Sequence, residues 1–159
     1  MNIGKDEIIG FESAHFLTDY KGKCRKLHGH SYHGKISITG IKIINGLLEG
    51  IDFGDIKNVV HNTCKHLDHK ILVPDESIDV NIETDPTGFK VTWRDCHGKT
   101  RSCEGPVGDF AFLPLKYTTV ESIAKYLKSV LKREIEFKIK RKIKVKLKLY
   151  ETKTSFVEV

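Results

Sequence analysis

"HGHSYHGKISIT", residues 28–39, alternates with a period of two. His28, His30, Tyr32, Ile36 and Ile38 fall on one side, and Ser31, His33, Lys35, Ser37 and Thr39 on the other. Successive side chains of an extended chain point to opposite faces, so this stretch is a strand with one apolar face. Residues 7–16, "EIIGFESAHF", repeat the pattern, with Ile9, Phe11, Ser13 and His15 sharing a face. The polar loop "LTDYKGKCRK" joins the two runs and predicts an antiparallel pair.

Outward from that pair the elements alternate in kind. "INGLLEG" predicts a turn and a short extended piece leading to Asp52. Residues 55–67 carry Ile56, Val59, Val60, Thr63 and Leu67 at helical spacing, with Asp52 or Gly54 near the start. Residues 75–114 predict an inserted hairpin, with "VNIETD" and "KVTWRDC" around the turn "PTG" and "HGKTRSCEGPVGD" as a loop. A second helix starts at "TTVESIAKYLKSVLKRE", where Thr118 and Glu121 form a capping-box pattern. Lys142, Lys144, Lys146 and Lys148 then alternate with Ile143, Val145, Leu147 and Leu149, and "SFVEV" ends the chain after "TKT". The order is strand, strand, helix, hairpin, helix, strand, strand. That is α+β, an antiparallel sheet with two helices on one face, in a single domain over 1–159.

Composition narrows the function class. Apolar residues make up 39% and charged residues 30% of the 159, which is the balance of a soluble globular domain. No apolar run reaches the roughly 20 residues of a membrane span. The start "MNIGKDEIIGF" is charged too early for a signal peptide, so a cytoplasmic location and no membrane partner are expected. Much of the net charge of +6 sits on the lysine strand, where period two places it on a wet sheet face. A nucleic-acid partner is therefore not expected, while an anionic small substrate would gain from the field. With no sign of secretion, Cys24, Cys64, Cys96 and Cys103 are read as reduced thiols, although Cys96 and Cys103 leave room for a disulfide or, with His97, a second metal site.

The chemistry concentrates around the first two strands. His28 and His30 leave one face of their strand and can reach a single ion, and Gly29 between them lets the backbone sit close to its neighbours. His15, on the apolar side of the preceding strand, is the candidate third ligand; three imidazoles would leave a zinc position open for catalysis. Spacing alone leaves these as either ligands or hydrogen-bonded histidines. Cys24, four residues before His28, becomes a usable base or nucleophile near a cation. Cys64, on a helix, fits an apolar filler. Asp68 can orient the imidazole of His69, although "HLDHK" equally suits a helix end. Glu151 falls on the apolar face at the end of the lysine strand, where a carboxylate requires N–H partners such as an aminopyrimidinone edge.

Taken together, "FESAHFL", "CRKLHGHSY", "GIDFGDIK", "LDHKIL", "TTVESIA" and "LYETKTSFVEV" resemble the 6-pyruvoyltetrahydropterin synthase/6-carboxytetrahydropterin synthase family, in the family's order. The resemblance implies the T-fold, a ββααββ subunit that assembles into a hexamer of two trimers with active sites at subunit interfaces. It implies zinc on His15, His28 and His30, a catalytic thiolate at Cys24, Asp68 and His69 as acid–base partners, and Glu151 as the pterin anchor. Thr118, Thr119 and Glu121 match the stretch lining the pterin pocket. The spacing of Cys24, three residues, then His28-Gly29-His30 resembles the carboxy-forming branch more than the pyruvoyl-forming one. That branch converts 7,8-dihydroneopterin triphosphate to 6-carboxy-5,6,7,8-tetrahydropterin with release of acetaldehyde and triphosphate. Its product feeds 7-deazaguanine synthesis for queuosine and archaeosine. "TTVES" departs from the family's commoner "PT-x-E-N", and residues 75–114 exceed its compact form.

Overall fold

The computed structural model describes the backbone of residues 2–159, and the side chains of these apart from residues 2 and 5–7. The chain opens on β1 (Asn2–His15) and β2 (His28–Thr39), paired antiparallel with His15 opposite His28 and Phe11 opposite Tyr32. Ile9, Phe11, Ser13 and His15 are buried on one face, as are Tyr32, Ile36 and Ile38, so the period-two reading holds in both strands. The next segment is a small hairpin rather than a turn and a lone extended piece. β3 (Ile43–Ile44) and β4 (Leu47–Leu48) pair around Asn45 and Gly46, whose φ values of 53° and 79° suit the tight turn that Asn-Gly favours.

Helix α1 (Phe53–Lys65) begins at an Asp52 N-cap. The Asp52 carboxylate accepts from the Asp55 amide, and Asp55 returns the bond to the Asp52 amide. There follow β5 (Lys70–Pro74), β6 (Val80–Asp85), β7 (Gly88–Arg94), β8 (Thr100–Gly105) and β9 (Phe110–Leu113). Helix α2 (Val120–Ile139), β10 (Lys144–Tyr150) and β11 (Phe156–Glu158) complete the chain.

The main sheet has the order β11-β10-β2-β1-β5-β9. Its four strands β11, β10, β2 and β1 are antiparallel, as expected, but β5 joins β1 in parallel and β9 joins β5 in parallel. The sheet is thus mixed. A parallel pair requires a long crossover, which α1 supplies before β5 and the following strands supply before β9. The α+β class and the T-fold stand, with α1 and α2 touching each other and sharing one core with the sheet. Ile56 and Val60 of α1, Ile123 and Leu127 of α2, and Ile36 and Leu147 of the sheet are fully or nearly fully buried there.

The inserted hairpin is a three-stranded meander, β6-β7-β8. Residues read as a loop form β8 because Thr100–Gly105 pair along the length of β7. This second sheet has its own apolar cluster, Phe16, Val73, Val91, Trp93 and Phe110. Gly34 answers the one close backbone approach in β2, since a Cβ there would lie 2.1 Å from the Lys148 carbonyl oxygen. Gly29 is different: a Cβ would meet only the Ser13 carbonyl at an ordinary 3.5 Å, so the expected tight approach there is not found.

Candidate metal centre and adjoining cleft

Pairing of β1 and β2 places His15, His28 and His30 within one patch, and their ligand atoms all lie within 4.8 Å of one another. The backbone sets the tautomers. His15 Nδ1 lies 2.6 Å from the Thr118 carbonyl and His28 Nδ1 lies 2.7 Å from the Lys26 carbonyl. A carbonyl only accepts, so both Nδ1 atoms carry the proton and both Nε2 atoms present lone pairs. Those Nε2 atoms face each other at 3.1 Å. Among the described residues, the buried Nε2 of His30 has no hydrogen-bond partner.

Glu151 adds a carboxylate to this cluster. Its Oε1 lies 3.7 Å from Nε2 of both His15 and His30. Burial pushes the pKa of His15 down to about 4, against a rise from its Thr118 bond, and His28 and His30 lower it further. Burial also lowers His30, opposed by Glu151 and aided by His28. The Nε2 atoms of His15 and His28 turned toward each other and the carboxylate of Glu151 beside them bring acceptors together. A divalent cation satisfies all of them, and imidazole donors suit zinc, copper, iron or nickel. The outer carbonyls that fix the rings are the usual supports of such a centre.

Cys24 stands in a 3₁₀ turn, Lys23–Arg25, and its carbonyl accepts from the Leu17 amide at 3.0 Å. Burial raises the Tyr32 pKa, and the nearby groups Glu151 and Cys24 add to the rise. The Tyr32 ring in turn lies 5.7 Å from His30 and 6.2 Å from His15. Tyr32, not singled out as a site residue in the sequence, therefore packs against the imidazole cluster. Its position two residues after His30 on the same face was the available signal.

His69 and His30 line a cleft of about 480 Å³, and Asp68 pairs with His69. The Asp68 carboxylate lies 3.0 Å from His69 Nδ1 and accepts the Glu12 amide at 2.8 Å. That amide bond, aided by His69, holds the Asp68 carboxyl below the usual carboxylate range against the opposing effect of desolvation. His69 has φ 56° and donates its own amide to the Glu12 carbonyl at 2.6 Å, a left-handed turn that swings its imidazole into the cleft mouth. Glu12, whose carboxylate accepts the Ser31 hydroxyl, and Lys70 and Asp109 also line this cleft. None of the three stands out in the sequence: Lys70 and Asp109 reach the site only because β5 and β9 join the sheet by long-range pairing, and Glu12 lies on β1 opposite Ser31.

The start of α2 corrects the expected capping box. Thr119 is the N-cap, accepting from the Ser122 amide, and Glu121 is exposed on the first turn. Thr118 is fully buried, and its hydroxyl donates to the Phe16 carbonyl while its own carbonyl holds His15. A side chain committed to Phe16 cannot cap the helix. Cys64 is buried in the core with its pKa pushed up to about 11 by desolvation. All four cysteines are free, and His33 stacks on Tyr150 on the opposite sheet face.

Residues 6–159 match the family described as 6-pyruvoyl tetrahydropterin synthase. A Haemophilus influenzae 6-carboxy-5,6,7,8-tetrahydropterin synthase is 28% identical over 94% of this chain and 93% of its own length. A Methanocaldococcus jannaschii protein described as a putative 6-carboxy-5,6,7,8-tetrahydropterin synthase is 32% identical over 74% of this chain and 68% of its own. Among solved structures, the Plasmodium vivax 6-pyruvoyl tetrahydropterin synthase superposes with a TM-score of 0.82 at 27% identity, covering 100% of this chain and 96% of that one. Among the described residues, no helix is long and apolar enough to cross a membrane.

Proposed function

The chain belongs to the 6-pyruvoyl tetrahydropterin synthase family, and from that membership we propose that it is a zinc-dependent 6-carboxy-5,6,7,8-tetrahydropterin synthase. Its substrate in this reading is 7,8-dihydroneopterin triphosphate, and acetaldehyde and triphosphate leave. The product would serve the making of 7-deazaguanine precursors of queuosine and archaeosine. The observation that carries the branch assignment is the spacing of Cys24, three residues, then His28-Gly29-His30. The names of the Haemophilus and Methanocaldococcus relatives agree with it.

His15, His28 and His30 are assigned to the metal, since their Nε2 lone pairs converge and two of the rings are locked by Thr118 and Lys26 carbonyls. Zinc held there would polarise the hydroxyls of the substrate side chain and acidify the adjacent C–H and O–H groups. Cys24 is assigned as the base that takes a proton from the side chain. His69 keeps Nδ1 protonated toward Asp68, which leaves Nε2 to accept and return a proton. Glu151 is assigned to the N–H groups of the pterin ring. Thr118, Thr119 and Glu121 are assigned to the lining of the pterin pocket, and the Thr118 carbonyl also supports His15.

The sheet ends in two short strands, β9 and β11, whose outer edges have no partner strand among the described residues. Such edges accept strands of further copies, which supports a homo-oligomer, a hexamer of two trimers in this reading. The cytoplasm is the proposed location.

A second reading is the pyruvoyl-forming reaction on the same substrate, favoured by the superposition on the Plasmodium vivax enzyme. Incubation with 7,8-dihydroneopterin triphosphate separates the two. Acetaldehyde in step with triphosphate supports the carboxy-forming reaction; triphosphate without acetaldehyde assigns the chain to the other branch.

A further inference from the structure

The meander β6-β7-β8 grips the loop that carries Cys24 at four points. The Trp93 ring stacks on Phe16 with centroids 3.9 Å apart and planes 15° apart. The Trp93 Nε1–H donates to the Arg25 carbonyl at 3.2 Å, one residue beyond Cys24. The Cys96 thiol donates to the Tyr20 carbonyl at 3.0 Å. The Asp95 carboxylate oxygen Oδ2 faces the Arg25 Nε at 3.6 Å, and that Nε is buried with no other partner.

Arg25 then works back on its own loop, donating through NH1 to the carbonyls of Lys21 and Gly22. Asp95 is itself tightly held. Its side chain is fully buried. Its Oδ1 accepts the amides of His97 and Lys99, while Oδ2 pairs with Arg101 Nε at 3.0 Å. Burial opposes the charge on Asp95, but these amides and the Arg101 guanidinium outweigh it and keep the carboxyl below its ordinary range. A buried, ionised, multiply bonded carboxylate is a rigid post. The loop lashed to it is otherwise short of fixed structure, with a single 3₁₀ turn.

We propose that Trp93 and Asp95 are positioning residues: through Arg25 they hold the Cys24 thiol in place to take a proton from the substrate side chain. This gives the meander a role in the reaction, and it rests on the assignment of Cys24 as the base. A displacement of about 1 Å at a reacting group can cost on the order of 100-fold in rate. The grip is strongest on the residue adjoining the thiol, where such a displacement would originate.

Two variants remove the contacts to Arg25 and leave the Phe16 stack and the Cys96–Tyr20 bond, the first also altering the Asp95–Arg101 pair. Asp95→Asn keeps an oxygen for the His97 and Lys99 amides but presents no anion to Arg25. Trp93→Phe keeps the stack on Phe16 and loses the N–H. The test compares these, the double variant and Cys24→Ala as zinc-loaded full-length enzymes, with kcat and KM on 7,8-dihydroneopterin triphosphate. It also follows the rate at which iodoacetamide labels the Cys24 peptide, read by mass spectrometry without turnover. The double variant is expected to lose at least about tenfold in kcat, with KM within about twofold and zinc content unchanged. Cys24 labelling is expected to change at least about threefold, while labelling of Cys64 does not change. Unchanged kcat and labelling in both single variants and the double variant, with Cys24→Ala inactive, overturn the proposal and leave the function standing. Full activity of Cys24→Ala overturns the assignment of Cys24 and this proposal with it. If the double variant loses zinc, the Trp93→Phe result decides.

Discussion

The Nε2 atoms of His15 and His28 face each other at 3.1 Å while the Nδ1 of each ring is committed to a backbone carbonyl. Two lone pairs at that distance repel, and the approach of Glu151 to His15 and His30 adds a further acceptor. A cation among the four groups would satisfy these acceptors together. The folded chain thus supplies a cluster that could hold a metal, with the His15 ring oriented by the distant Thr118 and the His28 ring by the nearby Lys26.

The first consequence concerns pH. With His15 lowered from 6.5 to about 4, the unfolded chain binds a proton there that the folded chain does not. Stability of the metal-stripped protein from this group is therefore complete above pH 6.5 and is lost as pH falls toward 4, a loss of about 3 kcal/mol. NMR titration of the stripped protein should show the His15 ring still neutral at pH 5.5. A midpoint near 6.5 contradicts the account.

Thr118→Val removes the hydroxyl donated to Phe16 while leaving the backbone carbonyl that holds His15. A buried carbonyl then lacks its donor, which costs about 1–3 kcal/mol. Thermal denaturation should show a fall of roughly 2–4 °C per kcal/mol, with zinc content retained. An unchanged melting temperature would mean that the hydroxyl contributes nothing.

Asp68→Asn keeps an oxygen for the Glu12 amide but no longer presents a carboxylate to the His69 Nδ1. The kcat should fall by about 100-fold, the scale of positioned acid–base catalysis. The Asp68 carboxyl is held low, so its stabilisation is present above the unfolded carboxylate pKa and lost as pH falls below it. The variant should accordingly show a shallower acid limb in urea unfolding. Wild-type kcat in the variant would remove Asp68 from the reaction.

Tyr32→Phe deletes a buried hydroxyl that has no hydrogen-bond partner. Because the stack on Phe11 at 4.8 Å persists, stability should stay within about 0.5 kcal/mol of the parent or rise. A loss beyond 2 kcal/mol in chemical denaturation would reveal a partner for the hydroxyl.

The parts of the site that rest on period two were legible in the sequence. His15, His28 and His30 declared their shared face because local alternation settles which side a strand residue occupies, and Glu151 followed from Leu147 and Leu149 in the same way. Parallel joining of β5 to β1 and β9 was hidden, since Lys70–Pro74 and Phe110–Leu113 are short runs whose partners are set by tertiary packing. Thr100–Gly105 read as a loop because only Cys103 is apolar there, and β7 supplies the order. Thr118 and Thr119 differ by one step in role because Phe16, a distant residue, claims the first hydroxyl. The grip of Trp93 and Asp95 on Arg25 left no local trace at all.

Metal analysis of the purified chain tests the central claim most directly. The account predicts about one zinc per chain, absent from a His28→Ala/His30→Ala double variant that remains folded by circular dichroism. Metal content unchanged in that variant would contradict it.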